Sequence, residues 1–141
     1  MRRIYWDTMV FAYLLEAHPA FEPQVRAAYE SIDRLGDQLC TSVFTVGELL
    51  VLPRRRGDQA AITAITEFLR SGEVEIIPFN WGAAEQYSIL RADTRVKAAD
   101  AIHLACAIEA RADLFVTNDQ DVRRLRVPRL PFIVGLDGRI F

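Results

Sequence analysis

The chain has 141 residues, of which 51% are hydrophobic and 26% charged, and its formal net charge at pH 7 is −2. This composition is ordinary for a soluble globular protein and suits a single domain over residues 1–141. No apolar run approaches the ~20 residues that cross a bilayer, and Asp7 interrupts the start before a signal-peptide core can form. We therefore expect a cytoplasmic protein with no membrane partner.

Strand and helix signals alternate along the first half of the chain. A short aromatic strand ends at Asp7, and apolar residues at helical spacing follow it. Pro53 lies near the end of the last predicted helix of this half and predicts a kink or an early stop. The predicted elements are a strand at 4–6, helices at 8–17 and 22–37, a strand at 39–43 and a helix at 44–55.

The second half continues this alternation. Asp58 and Asn80 are candidate N-caps for two of its helices. A later helix carries Asp100 in its first turn, and the apolar run at 114–117 after it predicts a strand covered on both faces. The predicted elements are a helix at 59–70, a strand at 74–79, a helix from 80 to about 92, the helix with Asp100, a strand at 114–117, a short helix near 120–125 and a strand at 132–134.

Strands that alternate with helices predict a three-layer α/β/α domain, in which helices cover both faces of a mainly parallel sheet. In such sheets ligands bind beyond the carboxyl ends of the strands. Asp7 and Asp119 lie at or just past such ends. Glu48 and Asp100 lie in the first turns of helices, which begin on that same side when they follow a strand. The four acids are therefore predicted to share one edge of the sheet.

Each of these acids also has a purely structural explanation, because a carboxylate at a helix N-terminus caps backbone amides or interacts with the helix dipole. Four caps need not share one edge, however, and converging carboxylates need a cation to offset their repulsion. Carboxylates with little histidine or cysteine suit Mg²⁺ or Mn²⁺, which are hard ions that prefer oxygen ligands. The structural alternatives are an N-cap at Asp7, a capping box from Thr45 to Glu48, a dipole contact at Asp100 and a cap at Asp119 or Asp121.

Basic residues flank the acidic stretch, with Arg91, Arg95 and Lys97 before Asp100 and further arginines after Asp121. Nearly all the positive charge is guanidinium, which binds phosphate through two parallel hydrogen bonds. A solvated helix face explains any one cluster, whereas clusters on both sides of the acids favour a phosphate-bearing ligand. The predicted nucleic-acid contacts are Arg54, Arg55, Arg56, Arg123 and Arg124.

Four short blocks resemble the acidic blocks of PIN-domain nucleases in order and spacing, over almost the whole chain. They are residues 4–8 (IYWDT), 41–49 (TSVFTVGEL), 97–101 (KAADA) and 117–119 (TND). Within that family, a compact chain of this kind is most similar to the VapC-type toxins of toxin–antitoxin pairs. Val122 departs from the family pattern, in which an aromatic residue is common at this position.

The resemblance implies an acidic pocket that binds Mg²⁺ or Mn²⁺ and hydrolyses RNA phosphodiester bonds with an activated water. It also implies a homodimer and a small antitoxin protein whose tail blocks the pocket. Thr8, Thr117 and Asp121 are expected to be auxiliary. The expected catalytic residues are Asp7, Glu48, Asp100 and Asp119, with Asp7, Asp100 and Asp119 as the metal ligands.

Other functions remain open at the level of sequence. One is a PIN-fold nuclease for RNA processing or for DNA, which a neighbouring antitoxin gene would distinguish from a toxin. Another is a degenerate PIN fold that only binds, which the intact set of four acids argues against. A phosphoryl transferase with Asp7 as nucleophile is disfavoured, because Met9 stands where a second aspartate is wanted. His103, one turn after Asp100, is assigned to packing or the surface in preference to a metal ligand.

Overall fold

Five parallel strands form one sheet in the computed structural model, which describes residues 1–130 and 132–137. The strands are β1 (Arg3–Trp6), β2 (Gln38–Ser42), β3 (Val74–Ile77), β4 (Leu114–Val116) and β5 (Phe132–Val134). Their order across the sheet is β3-β2-β1-β4-β5, and each neighbouring pair is parallel. The predicted α/β class with a parallel sheet is therefore confirmed. Residues 138–141 of the predicted domain lie outside the described residues.

The helices follow the predicted order, with boundaries that shift by up to two residues. The early stop predicted at Pro53 is wrong, because that helix continues to Arg56 and ends where Gly57 adopts a left-handed φ of 63°. None of the helices in residues 1–130 and 132–137 combines the length and the apolar composition that a membrane span requires. The helices are α1 (Thr8–Leu15), α2 (Glu22–Leu35), α3 (Val43–Arg56), α4 (Gln59–Leu69), α5 (Trp81–Asp93), α6 (Ala98–Glu109) and α7 (Gln120–Arg123).

Successive side chains of the strands point into two separate cores. Tyr5 and Phe115 pack with residues of α5 and α6, whereas Ile4 and Trp6 pack with residues of α1 to α4. This alternation follows from the period of two residues along a strand. Both faces of the sheet are therefore covered by helices, which confirms the predicted three layers.

The direction in which successive strands are added to the sheet reverses beside β1. From β1 the chain proceeds outward to β2 and β3, and it then returns to the other side of β1 to form β4 and β5. The amide of Asp7 donates to the carbonyl of Val116 at 3.2 Å, so the carboxyl ends of β1 and β4 are adjacent. Crevices for ligands form at such a switch point in open α/β sheets, and Asp7 and Asp119 lie on its two sides.

Candidate active site

Asp7 is the first residue after β1 and the N-cap of α1. Its Oδ1 accepts the amide of Val10 at 3.4 Å, and its Oδ2 accepts a hydrogen bond from the Thr117 hydroxyl. The capping interpretation is therefore confirmed, but it occupies only one of the two oxygens. Burial raises the pKa of Asp7 above its usual value, and repulsion from Asp100 adds to this effect, although the hydrogen bond from Thr117 opposes it.

Thr117 connects the carboxyl ends of β1 and β4. Its hydroxyl donates to Asp7 and accepts the amide of Asp119 at 3.1 Å. Asp119 in turn caps α7, since its Oδ1 accepts the amides of Asp121 at 2.8 Å and Val122 at 3.2 Å. The second oxygen of Asp119 makes no hydrogen bond with any residue that the structure describes. That oxygen is therefore free to bind a ligand.

Asp100 lies in the first turn of α6, as predicted, and is half-buried. Burial raises its pKa above the usual value and the negative charge of Asp119 raises it further, while Lys97 acts in the opposite direction. The charge of Glu48 also acts on Asp100, and that of Asp100 acts on Asp7. Four acids from four separate segments of the chain are therefore close enough to interact around Asp100.

Glu48 lies in the second turn of α3, and its side chain turns toward α6. Its Oε1 accepts hydrogen bonds from the Thr8 hydroxyl and from Nε2 of His103, the latter at 2.7 Å. The predicted capping box is wrong, because Ser42 is the N-cap of α3 and its hydroxyl accepts the amide of Thr45 at 3.3 Å. Burial acts to raise the pKa of Glu48, but the hydrogen bonds from His103 and Thr8 outweigh it, and the pKa lies below its usual value.

His103 is buried and is hydrogen-bonded through both ring nitrogens. Its Nδ1 lies 2.8 Å from the hydroxyl of Tyr5, which accepts the amide of Ser42 at 3.1 Å. The ionised carboxylate of Glu48 can only accept, so Nε2 of His103 carries the proton of this hydrogen bond. In a neutral imidazole Nδ1 is then the acceptor, and the Tyr5 hydroxyl donates to it. Burial raises the pKa of Tyr5 well above its usual range, so the phenol keeps this proton. A chain of hydrogen bonds therefore orients Glu48.

Tyr5 and His103 are connected to the acids by hydrogen bonds that sequence reasoning missed. The aromatic strand and the position of His103 one turn after Asp100 were both evident, but nothing in the sequence pairs them. Residues 5 and 103 lie 98 positions apart and meet through the sheet. Only the register of β1 against β2 and the packing of α6 on the sheet bring Tyr5, His103 and Glu48 into contact.

The acids are of the donor type that binds divalent cations, although their side chains are not arranged as a formed metal site. In the described part of the chain, no group of three or more carboxylate, imidazole or thiolate side chains is arranged to hold a metal ion. The donors themselves are hard oxygen ligands, which Mg²⁺ and Mn²⁺ prefer. Burial together with mutual repulsion raises the pKa of both Asp7 and Asp100, so a cation at this edge would relieve unfavourable charge.

A cavity of about 250 Å³ lies beside the acids. The predicted basic contacts lie elsewhere: Arg54, Arg55 and Arg56 are exposed in the last turn of α3. Arg123 forms an ion pair with Asp137 at 3.1 Å, and Arg124 lies 3.8 Å from Asp121. The residues that line the cavity are Arg95, Val96, Lys97, Asp100, Asp119, Asp121, Val122 and Leu125.

Residues 4–128 match the PIN domain sequence family. No curated protein sequence matches the chain.

Solved structures of toxin–antitoxin proteins are similar to the whole fold. VapBC2 of Rickettsia felis, bound to a DNA fragment from its promoter, is 19% identical with a TM-score of 0.76 over 94% of this chain and 98% of that chain. DNA-bound VapBC of Salmonella typhimurium is 17% identical with a TM-score of 0.70, over 96% of this chain and 99% of that chain. VapC20 of Mycobacterium tuberculosis, a sarcin–ricin loop cleaving toxin, is 22% identical with a TM-score of 0.67, over 84% of this chain and 92% of that chain. At these identities the similarity concerns the fold.

Proposed function

The chain belongs to the PIN domain family, and on this premise we propose that it is a metal-dependent endoribonuclease, the toxin of a toxin–antitoxin pair. One observation carries the proposal: four acids from separate segments lie together at the carboxyl edge of the sheet. Thr117 joins Asp7 to Asp119, Asp119 and Asp100 line one cavity, and Glu48 is hydrogen-bonded to α6 one turn beyond Asp100. RNA is the favoured substrate class because VapC20, which shares the fold, cleaves the sarcin–ricin loop. We further propose that residues 1–141 form one domain.

Asp7, Asp100 and Asp119 would hold a Mg²⁺ or Mn²⁺ ion through their carboxylate oxygens. Such an ion lowers the pKa of a bound water and stabilises the charge that develops on a phosphate. Asp119 contributes an oxygen that is free of hydrogen bonds within the described residues. Thr117 holds Asp7 in place through its hydroxyl, which fits the auxiliary role expected of this threonine.

Glu48 supplies a carboxylate that stays ionised and is fixed in direction. Both of its hydrogen bonds, from Thr8 and His103, are to Oε1. Its Oε2 makes no hydrogen bond with a described residue and is therefore available to accept a proton from an attacking water. A general base requires both a lone pair in this position and the correct ionisation state.

The partner that we propose is a small antitoxin protein that covers the acidic edge, and the expected assembly of the toxin is a homodimer. Support for the antitoxin comes from the similar structures, which are described as VapBC and other toxin–antitoxin complexes. Coexpression with the product of an adjacent small gene tests this partner directly. A stable complex that inhibits cleavage is the expected result.

The central experiment incubates the purified, antitoxin-free protein with total RNA in the presence of Mg²⁺, Mn²⁺ or EDTA, and maps the new 5′ ends. We expect cleavage at a small number of positions with either metal and none with EDTA. Parallel reactions with single-stranded and double-stranded DNA test the substrate class. Cleavage of DNA alone would contradict the ribonuclease assignment, and cleavage that persists in EDTA would contradict the metal requirement.

A further inference from the structure

The cavity beside the acids has a basic side that the acidic site does not use. Arg95 and Lys97 line this side, and both are exposed. Neither side chain forms an ion pair or hydrogen bond with any residue that the structure describes. Some of the other basic side chains are paired, such as Arg3 with Glu75 at 2.5 Å. Two cations without partners therefore face a cavity whose other charged residues are acids.

The remainder of the cavity wall is apolar. Val96 is 9% exposed and Val122 is 3% exposed, and Leu125 is half-buried against the same core. Its volume of about 250 Å³ lies below the roughly 300–1,000 Å³ of pockets that enclose drug-sized ligands. A small flat group with an attached anion therefore fits this space better than an extended ligand does.

A phosphate that approaches four carboxylates is repelled, and one divalent ion offsets only part of that charge. Lys97 immediately precedes α6 and lies three residues before Asp100, close enough to counteract the raised pKa of that acid. Arg95 adds a planar donor group suited to phosphate oxygens. These two side chains are the basic residues among those that line the cavity. They are thus placed to attract a backbone phosphate to the acids.

We propose that this cavity binds the nucleotide adjacent to the scissile phosphate of an RNA substrate. Lys97 and Arg95 hold its phosphate, while Val96, Val122 and Leu125 contact its base. This inference rests on the proposed ribonuclease function. Because Asp100 and Asp119 belong to both the cavity and the acidic site, a nucleotide bound here places its neighbouring phosphate at the acids. Phosphate contacts of this kind set the register of a nucleic acid on a protein.

The test removes each positive charge and measures RNA binding separately from cleavage. Lys97→Gln and Arg95→Gln keep an exposed polar side chain, and neither residue supports the fold through its side chain. Arg70→Gln is the matched control, because Arg70 is also exposed and ends α4 shortly before β3 begins, on the side of the sheet where the strands start. RNA affinity is measured by fluorescence anisotropy in an Asp7→Asn background without divalent ions, over a range of salt concentrations.

We expect Lys97→Gln and Arg95→Gln each to weaken RNA binding about fivefold and to reduce the salt slope by roughly 0.7 per lost contact to a single strand. KM for cleavage should rise in parallel with little change in kcat, and Arg70→Gln should match the wild type. Affinities of both variants equal to that of Arg70→Gln would overturn the proposal. A loss confined to kcat would also overturn it, because Lys97 would then only balance the charge of the acids.

The contact with the base is tested with RNAs that carry one abasic nucleotide on either side of the mapped cleavage site. We expect the affinity to fall for one of the two positions only, since the cavity has room for one base. Equal affinities for both abasic RNAs and the intact RNA would remove the base from the proposal. A wild-type protein that neither binds nor cleaves RNA, or an Asp7→Asn protein that still cleaves it, would instead contradict the proposed function itself.

Discussion

At the scale of single residues, two acids of the candidate site are N-caps that use one carboxylate oxygen each for capping. Asp7 caps α1 with Oδ1 while Oδ2 takes part in the contact with Thr117. Asp119 caps α7 with one oxygen and leaves the other free among the described residues. A cap and a metal ligand are therefore compatible in the same carboxylate, because each has two oxygens.

Asp7→Asn separates charge from capping, because Asn is as good an N-cap as Asp. The folded-state pKa of Asp7 is raised, by burial first and then by Asp100, so ionisation opposes folding. The unfolding free energy of the metal-free protein should therefore fall as pH rises from the ordinary carboxyl range through this raised pKa. Asp7→Asn should reduce that fall and abolish RNA cleavage.

Urea unfolding of both proteins in EDTA at about pH 5 and about pH 8 measures this difference. The variant should be at least as stable as the wild type at the higher pH. A variant that is clearly less stable there would mean that the charge of Asp7 stabilises the fold.

We expect His103 to position Glu48 through their hydrogen bond, and a double-mutant cycle tests this role. His103→Ala should lower kcat, because Glu48 loses its 2.7 Å hydrogen bond from Nε2. In a Glu48→Gln background, which already lacks the charge, His103→Ala should have little further effect. The coupling between the two changes should lie in the range of about 0.5–3 kcal/mol that residues in contact show.

The same four proteins are compared by thermal unfolding, so that loss of stability is not mistaken for loss of positioning. Glu48→Gln should retain near-normal stability, since a glutamine oxygen still accepts from Thr8 and His103. Additive effects on kcat would assign His103 to packing alone. Full activity in Glu48→Gln would remove Glu48 from the site and leave three aspartates.

At the scale of the elements, the start of α3 decides how Glu48 is used. The helix begins at Val43 with Ser42 as its N-cap, one residue before the predicted start. Thr45 is consequently inside the helix, buried, with its hydroxyl 2.7 Å from that of Thr41. Glu48 is released from capping and faces α6. The N-cap thus lies three residues before the position that the capping box assigns to it, and Glu48 becomes a candidate site residue.

Ser42→Ala should cost about 1 kcal/mol of stability, the usual effect of a lost N-cap. Thr45→Ala should leave the cap intact, and it should change the stability only through loss of the buried hydrogen bond between the Thr45 and Thr41 hydroxyls. Chemical unfolding of both variants gives the two free energies, and RNA cleavage by both should remain close to that of the wild type. Loss of the cap in Thr45→Ala rather than in Ser42→Ala would restore the capping box.

At the scale of the whole molecule, charge is arranged across the edge of the sheet. The net charge of −2 conceals an acidic centre with basic residues around it. Arg54 follows Glu48 by six residues, which places it about 9 Å farther along the axis of α3. An RNA strand that leaves the acids along the axis of α3 therefore passes the arginines in the last turn of that helix.

Replacement of Arg54, Arg55 and Arg56 by alanine should weaken RNA binding and flatten its salt dependence, because fewer counterions are released. Anisotropy titrations at several salt concentrations measure both quantities, with Arg70→Ala as the control for a single lost charge. An unchanged slope would place these arginines on a solvated face or on the surface for the antitoxin. The proposed roles of Arg123 and Arg124 are weakened by their pairing with Asp137 and Asp121.

The sequence by itself determined the elements, the parallel α/β class and the edge on which the acids meet. Alternating strand and helix signals act locally, so they require no knowledge of distant contacts. The caps at Asp58 and Asn80 were likewise local and are confirmed. The family membership followed from ordered motifs at residues 4–8, 41–49, 97–101 and 117–119.

Only the tertiary structure decided which side chains act together at that edge. The partners of Glu48 are Thr8 and His103, which lie 40 and 55 residues away in the chain. Likewise, the cavity brings residues 95–97 of one connection to residues 119–125 of another. Such contacts depend on strand register and on how closely α6 packs against the sheet. These are properties of the folded chain that no local pattern of residues encodes, because the free energy that sets them comes from packing between distant segments.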